Sequence, residues 1–413
     1  MALTMQEKQA VTRELARRYA RAGRKARQAI VDQVVGIAGY NRSYATWLLR
    51  TYGRRVILPS PGDQAMVVEA ASQDQARRRA RPRIYDEKVL VALKLVWRIM
   101  DCICGKRLAP FLPELVPILE HHEELVLDDV TRTRLTTISA ATIDRLLADE
   151  RRRQRLLDRA RARPDTALLR QIPIQTHIDA QVDRPGFVEV DLVSHDGGFG
   201  AGEYCQTLDV TDRYSGWTET EAVRNKAHQW VFGAMKAIRQ RLPFPLLGIH
   251  SDNGSEFINH ALYDYCQAEK LEFTRSRPYQ KNDNCHVEQK NYTVVRRAVG
   301  YFRYETPQQL ALLNRLYRVL RPYTNFFQPA VKLLTKTRHG STVSKRYDQA
   351  RTPYQRLLNS EELTEADRVR LVAEYRPLNP AALKRECERL QRQLLKAVED
   401  QVASTPLLLR TGQ

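Results

Sequence analysis

The stretch between residues 186 and 300 constrains the fold more than any other part of the chain. Phe187 to Val193 reads as a strand, Tyr204 to Val210 as a second, and Asp212-Arg213-Tyr214-Ser215-Gly216 as a turn into a third strand from Trp217 to Val223. The pattern then changes. A helix is expected from Lys226 to Leu242, a short apolar strand from Leu246 to His250, a helix from Glu256 to Lys270, a strand from Leu271 to Ser276 and a helix beginning near Asn284. Three hairpin-linked strands followed by alternating helix and strand indicate a mixed sheet covered by helices. A helical tail is expected from Pro307 to Leu334.

Three acids fall where such a sheet presents carboxylates. Asp191 follows Val188 and Val190 on an apolar strand, where an unpaired ionised side chain carries a large desolvation penalty that a bound cation would offset. Asp252 closes the Leu246–Ser251 run just before Asn253-Gly254, at the C-terminal edge of a strand, where open sheets commonly place active sites. Glu288 lies in the following helix, after the polar stretch Gln280-Lys281-Asn282-Asp283-Asn284, and 35 residues separate it from Asp252. Phosphodiester chemistry needs little beyond a rigid mount for divalent metal, and carboxylates on separate elements supply one. Glu189, Asp196, Asp209, Asp212 and Asp283 are competing acids. His195, His250 and His286 are expected to be structural.

The charge points to a polyanion. The chain of 413 residues has a formal net charge of +19, and residues 1–83 carry 17 Lys/Arg against 6 Asp/Glu. Lysines and arginines that displace condensed counterions supply most of the sequence-independent affinity for nucleic acid. No run of about 18 apolar residues is present, so no membrane partner is expected. An intracellular, cytoplasmic protein with reduced cysteines follows, nucleoid-associated when DNA-bound. Cys102-x-Cys104 with His121-His122 matches no common zinc spacing, and core cysteines are expected instead.

Before the sheet, three short helices are expected: Gln6 to Tyr19, Lys25 to Val35 and Arg42 to Tyr52, with Ile30, Val34, Ile37, Tyr44, Trp47 and Leu48 forming a small core. A helix, a tight glycine turn and a helix exposing Arg42, Ser43 and Arg50 have the outline of a helix-turn-helix. The domain reading is therefore 1–58 helix-turn-helix, 59–83 basic linker, 84–150 a second helical, helix-turn-helix-like domain, and 151–177 an arginine-rich connector. The mixed-sheet core at 178–335 and a small basic C-terminal domain at 336–413 complete it. In the linker, Arg77, Arg78, Arg79, Arg81 and Arg83 suit phosphate contacts. In the C-terminal segment Asn379-Pro380 opens a helix to about Val398. Its stripe of Leu383, Cys387, Leu390, Leu394 and Val398 is expected to pack within its own domain.

Ile249-His250-Ser251-Asp252-Asn253-Gly254-Ser255-Glu256-Phe257 and Asn282-Asp283-Asn284-Cys285-His286-Val287-Glu288-Gln289-Lys290-Asn291 resemble the second and third signature segments of the integrase/transposase superfamily with a D-D-35-E triad. Val190-Asp191-Leu192 matches the first. The resemblance covers roughly residues 178–335 and is greatest to bacterial insertion-sequence transposases. It implies a multidomain α + α/β protein with a ribonuclease H-like mixed-sheet core. It also implies Asp191, Asp252 and Glu288 as catalytic residues and metal ligands, with two Mg²⁺ ions for which Mn²⁺ substitutes. Double-stranded DNA is the implied partner, as transposon ends and target, bound by a homo-oligomer. Retroviral relatives often carry lysines one and two turns past the glutamate, where this chain has Tyr292 and Val295. DNA contacts are therefore sought at Lys290, Asn291, Arg296 and Arg297, with Asn291 alternatively orienting the carboxylate. The rival readings are a ribonuclease H-like nuclease without strand transfer and a transposase-derived non-catalytic DNA-binding regulator.

Overall fold

The computed structural model describes residues 4–52, 56–58, 66–68, 84–153, 182–251, 257, 260–275, 285–339 and 342–404. The chain divides into two compact units, Met1–Arg83 and Ile84–Gln413.

In the first unit, helices α1 (Met5–Arg21), α2 (Arg24–Ala38) and α3 (Arg42–Thr51) follow the expected order. Thr4 and Glu7 form a capping box that opens α1, Gly39 ends α2 at φ 65, and the Asn41 side chain accepts from the Ser43 N–H to start α3. The core is built from Leu15, Ala16, Tyr19, Ile30, Val31, Val34, Ala38, Ala45 and Leu49. Four residues expected there are not in it: Ile37, Tyr44 and Trp47 are 50%, 47% and 40% exposed, and Leu48 is half-buried outside the cluster. The reason is helical phase, because Ala45 and Leu49 sit four apart on the inward face of α3 and turn Tyr44 and Trp47 outward. There the two rings stack on each other with centroids 5.8 Å apart. Strands β1 (Val56–Leu58) and β2 (Met66–Val68) pair antiparallel, so the 59–83 linker contains a strand that its lack of periodicity did not announce.

The second unit begins with a helical layer: α4 (Glu87–Ile99), α5 (Gly105–Leu108), α6 (Leu112–His121), α7 (Asp129–Thr136) and α8 (Ala140–Leu146). The sheet follows, with strands β3 (Phe187–Ser194), β4 (Gln206–Asp212) and β5 (Thr218–Val223), helix α9 (His228–Arg241), β6 (Gly248–Ser251), α10 (His260–Ala268) and β7 (Glu272–Arg275). Its order is β5-β4-β3-β6-β7, antiparallel through β5, β4 and β3 and parallel from β3 to β6 and β7. This is the mixed sheet expected from the strand and helix alternation. Strand β4 is buried along its whole length because both faces are covered. Where β3 meets β6, Phe187 pairs with Gly248, and a Cβ at 248 would come within 2.8 Å of the Phe187 ring.

Helix α11 (Cys285–Lys290) runs into a π-helical turn, Asn291–Arg296, and then into α12 (Arg297–Val299). The long helix α13 (Pro307–Phe327) stops seven residues short of the expected Leu334, because Gln328 precedes Pro329 and proline disfavours helical backbone in the residue before it. The chain then forms a β-ribbon, β8 (Leu333–His339) with β9 (Thr342–Tyr347), followed by α14 (Pro353–Leu358), α15 (Glu365–Tyr375) and α16 (Pro380–Ser404).

The segments read as separate at 84–150, 178–335 and 336–413 pack as one unit. A single hydrophobic cluster joins Leu93, Trp97 and Leu115 of the helical layer to Val190 and Leu208 of the sheet and to Leu357 and Leu371 of the C-terminal helices. Polar contacts seal the same seams: the Tyr323 hydroxyl donates to the Ile99 carbonyl at 2.6 Å. The stripe on α16 packs inward, with Cys387, Leu390 and Leu394 buried against Leu313, Leu316 and Tyr317 of α13. Among the described residues, no helix is long and apolar enough to cross a membrane.

Candidate active site

Strand alternation sets the site. Glu189 and Asp191 are two apart on β3 and share a face; across the ladder they pair with Thr211 and Asp209 of β4. Helix α11 and its π-turn pack on this face. The result is a polar layer between strand and helix.

Glu189 is 1% exposed, and its Oε2 accepts the backbone N–H groups of His286 at 2.7 Å and Val287 at 3.0 Å. These are two of the orphan donors that open α11, so a strand carboxylate caps the helix that carries Glu288. Burial pushes the Glu189 pKa up to about 7 against the capping bonds and Arg213, and the nearby Glu288 charge adds to the rise. Arg213 stands 3.6 Å from the other Glu189 oxygen. Val287 is fully buried beneath the helix, whereas Glu288 is exposed.

Asp191 is partly buried. Its Oδ1 accepts the Leu192 N–H at 2.8 Å and its Oδ2 accepts the Asn291 side-chain amide at 2.6 Å. Asn291 opens the π-turn, a distortion that recurs at functional sites. Of the two roles weighed for it, the structure places Asn291 on a carboxylate, and that carboxylate is Asp191.

Beside Asp191, Asp209 is fully buried; its Oδ1 accepts from the Thr211 hydroxyl at 3.2 Å and its pKa is held well above the usual carboxylate range by burial. Burial lowers the pKa of Lys290 to about 8, and the charge of Asp209 opposes the fall. Two oxygens in the layer, Asp209 Oδ2 and Asn291 Oδ1, are buried without a partner. An oxygen-only donor set flanked by unsatisfied oxygens fits a hard divalent cation better than a thiophilic one.

Ser251, the last residue of β6, pairs with Val190, the neighbour of Asp191. Asp252 comes next in sequence and lies outside the described residues, as does Asp283. Among the described residues, no three His, Cys, Asp or Glu side chains converge as a metal cluster. Asp191 on β3 and the helix that carries Glu288 are thus joined through the bonds that Asn291 and Glu189 make.

The residues considered for DNA contact fare differently. Arg296 is engaged within the fold, donating to the Ser194 carbonyl at 2.7 Å and lying over the Tyr301 ring. Arg297 is paired with Asp101 at 2.5 Å. In the first unit Arg42, Ser43 and Arg50 are exposed, with Arg42 paired to Asp32. Arg77, Arg78, Arg79, Arg81 and Arg83 lie outside the described residues, as does most of the arginine-rich connector. His195 is buried, bonded to the Thr207 hydroxyl at 2.7 Å, and His250 meets the Thr274 hydroxyl at 2.8 Å, which gives both a structural role.

Glu189 and Asp209 had been seen only as competing acids. For Glu189 the signal is the period of two along a strand, which puts an acid two residues from Asp191 on its face; Asp209 reaches that face as the direct cross-strand partner of Asp191.

Residues 183–281 match the integrase core domain family. The uncharacterized protein y4rM of Sinorhizobium fredii (strain NBRC 101917 / NGR234) is 41% identical over 330 residues, spanning 80% of this chain and 89% of the relative. Similar solved structures include the catalytic core domain of BIV integrase, at 19% identity over 43% of this chain and 95% of that one, with a TM-score of 0.29. The HTLV-2 integrase catalytic core in complex with magnesium is 14% identical over 34% of this chain and 84% of that one, TM-score 0.26. The simian T-cell lymphotropic virus intasome, solved with PP2A regulatory subunit B56 gamma, is 16% identical over 47% of this chain and 61% of that one, TM-score 0.33.

Proposed function

Because the chain belongs to the DDE integrase/transposase superfamily and to the family of y4rM, we propose that it is a DNA transposase. It binds transposon ends, cleaves phosphodiester bonds to free 3′ hydroxyls and joins those hydroxyls to target DNA. The observation that carries this reading is the convergence on β3. Val190, next to Asp191, pairs with Ser251 at the end of β6, and the helix bearing Glu288 is capped by Glu189 of the same strand.

Asp191, Asp252 and Glu288 would hold Mg²⁺, with Mn²⁺ as a substitute, and the unsatisfied oxygens of Asp209 and Asn291 suit the same hard-ion environment. When bound, paired divalent ions supply activation of the attacking oxygen and stabilisation of the leaving one in an in-line displacement. The chain's own residues do the positioning. Asn291 fixes the Asp191 carboxylate by its 2.6 Å bond, and Glu189 fixes the start of α11 and with it the approach of Glu288 to the sheet. Lys290, on the same helix, adds positive charge that favours the ionised form of Asp209. In this reading water attacks first, at the transposon end, and the released hydroxyl attacks target DNA next, so one site serves both steps without a protein–DNA covalent bond.

The first unit supplies end recognition. Helices α2 and α3, joined by a turn through Gly39, present Arg42, Ser43 and Arg50 on the exposed side of α3, as a helix-turn-helix reader requires. Neutralising phosphates by the surplus of arginine gives the sequence-independent remainder. The test is incubation of the protein with Mg²⁺, a pre-cut end duplex and a supercoiled plasmid. Joined product is expected; nicking without joining would favour a nuclease, and binding without either would favour a regulator.

A further inference from the structure

We propose that the β8–β9 ribbon is a DNA-contacting arm whose two basic strands take phosphates along the major groove of duplex DNA; this rests on the reading of the protein as a DNA-acting enzyme and adds an interface to it. Residues 333–347 carry Lys336, Arg338, Lys345 and Arg346 and no acid. The ribbon pairs as two antiparallel strands with a register irregularity between Leu333 and Thr335 at its base. Arg338, Lys345 and Arg346 are exposed, and even the apolar Leu334 and Val343 are 54% and 43% exposed. The ribbon therefore projects from the unit rather than packing into it.

Its charge arrangement is unfavourable on its own. Lys336 pairs directly across the ladder with Lys345, and like charges opposite each other destabilise a strand pair. Among the described residues, Lys336, Lys345 and Arg346 meet no carboxylate. The nearest acid in sequence, Asp348, is occupied by Arg356 at 2.7 Å and by the Lys332 N–H at 2.6 Å. A surface that keeps two lysines face to face suits a partner whose own charges repeat at close intervals, as phosphates do.

Shape selects the kind of nucleic acid. The major groove of B-DNA admits a two-stranded ribbon, whereas that of an A-form RNA helix is too narrow for side chains to enter. Lys336 and Arg338 are two residues apart on one strand, about 7 Å along the ribbon. Thr335, Thr337 and Ser344 share the other face with Arg346 and add hydroxyl donors there. The base is anchored: Arg107 donates to the Pro329 carbonyl at 2.5 Å and Lys106 lies 4.6 Å from the Tyr347 ring centroid.

The experiment uses the full chain with Lys345→Ala and Arg346→Ala combined, against a control, Arg392→Ala with Lys396→Ala, which removes the same charge from exposed positions on α16. Binding to an end-containing duplex is titrated across salt concentrations. The ribbon variant should show a log–log slope shallower by about 2 and affinity at least about tenfold weaker near 150 mM salt, while the control keeps the wild-type slope. Its unfolding midpoint should not fall, since removing Lys345 relieves a like-charge pair. An unchanged slope, an equal loss in the control, or equal competition by A-form duplex RNA would each overturn the proposal. Plasmid nicking with Mg²⁺ is measured in parallel. If wild type nicks and the ribbon variant keeps the wild-type slope, only the arm is refuted; if wild type shows the ribbon-dependent slope but neither nicks nor joins, only the enzymatic reading is.

Discussion

Replacing Glu189 by alanine removes the acceptor shared by the His286 and Val287 N–H groups, bonded at 2.7 and 3.0 Å, from a position 1% exposed. Leaving a buried donor unsatisfied costs about 1–3 kcal/mol, so the gross loss is about 2–6 kcal/mol. Part of this is returned, because burial disfavours the Glu189 carboxylate and its removal relieves that penalty. A net destabilisation of about 1–3 kcal/mol is expected, concentrated at the start of α11. Glu189→Gln keeps a carbonyl acceptor for both donors and should cost less than about 1 kcal/mol. Hydrogen exchange reads the effect where it occurs: the amides of His286 and Val287 should exchange about 10- to 100-fold faster in the alanine variant, and near the wild-type rate in the glutamine variant. Metal-dependent nicking should fall in the same order. If Glu189→Ala leaves both amides as protected as in wild type, the strand does not hold the helix and the positioning argument collapses.

Three further outcomes follow from the fold. His195 is neutral in the folded protein because burial, and secondarily Arg296, lower its pKa to about 3; its stabilising contribution is complete above about pH 6.5 and is lost as pH falls through that value toward 3. His195→Gln should therefore flatten the acid limb of the stability profile by about 1.4 kcal/mol per pH unit in denaturant titrations; a parallel limb would contradict the assignment. Leu390 is 1% exposed between α16 and α13, so Leu390→Ala should destabilise the protein by about 2–5 kcal/mol in chemical unfolding, and an effect below 1 would show that the helix is only loosely docked. Deleting residues 1–83 removes a separate compact unit, and footprinting should show loss of selective end protection with weak metal-dependent nicking retained. Undiminished selectivity would move recognition to residues 84–150.

The sheet was legible because its strands and helices differ in period: β3, β4, β5, β6 and β7 and the mixed character of the sheet follow from alternation and turn chemistry, whereas the parallel pairing of β6 with β3 is long-range and was not read. The candidates Asp191, Asp252 and Glu288 come from their spacing and from the signature segments that hold them. The partnership between Glu189 and α11 was not legible, since it joins residues about a hundred positions apart through backbone donors that no side-chain pattern encodes. The inward face of α3 was misread for a different reason. Aromatic residues such as Trp47 suggest a core, yet the phase set by Ala45 and Leu49 turns Trp47 to solvent. The β8–β9 ribbon was read in part as helix because Val331-Lys332-Leu333-Leu334 continues an apolar pattern, and Pro329 decides the matter only through local sterics. Separate domains were expected at 84–150 and 336–413 because each has its own helical stripe, but those stripes are buried against the sheet and against α13.

The most direct test of the central claim is strand transfer from a pre-cut end by Asp191→Asn, Asp252→Asn and Glu288→Gln, with end binding measured on the same samples. Each substitution keeps the side-chain shape and removes the charge that would hold Mg²⁺. Wild-type-like binding with no joined product is predicted for all three, because one site serves cleavage and joining. Joining at the wild-type rate by Glu288→Gln would contradict the account and make Asp283 the acid to test.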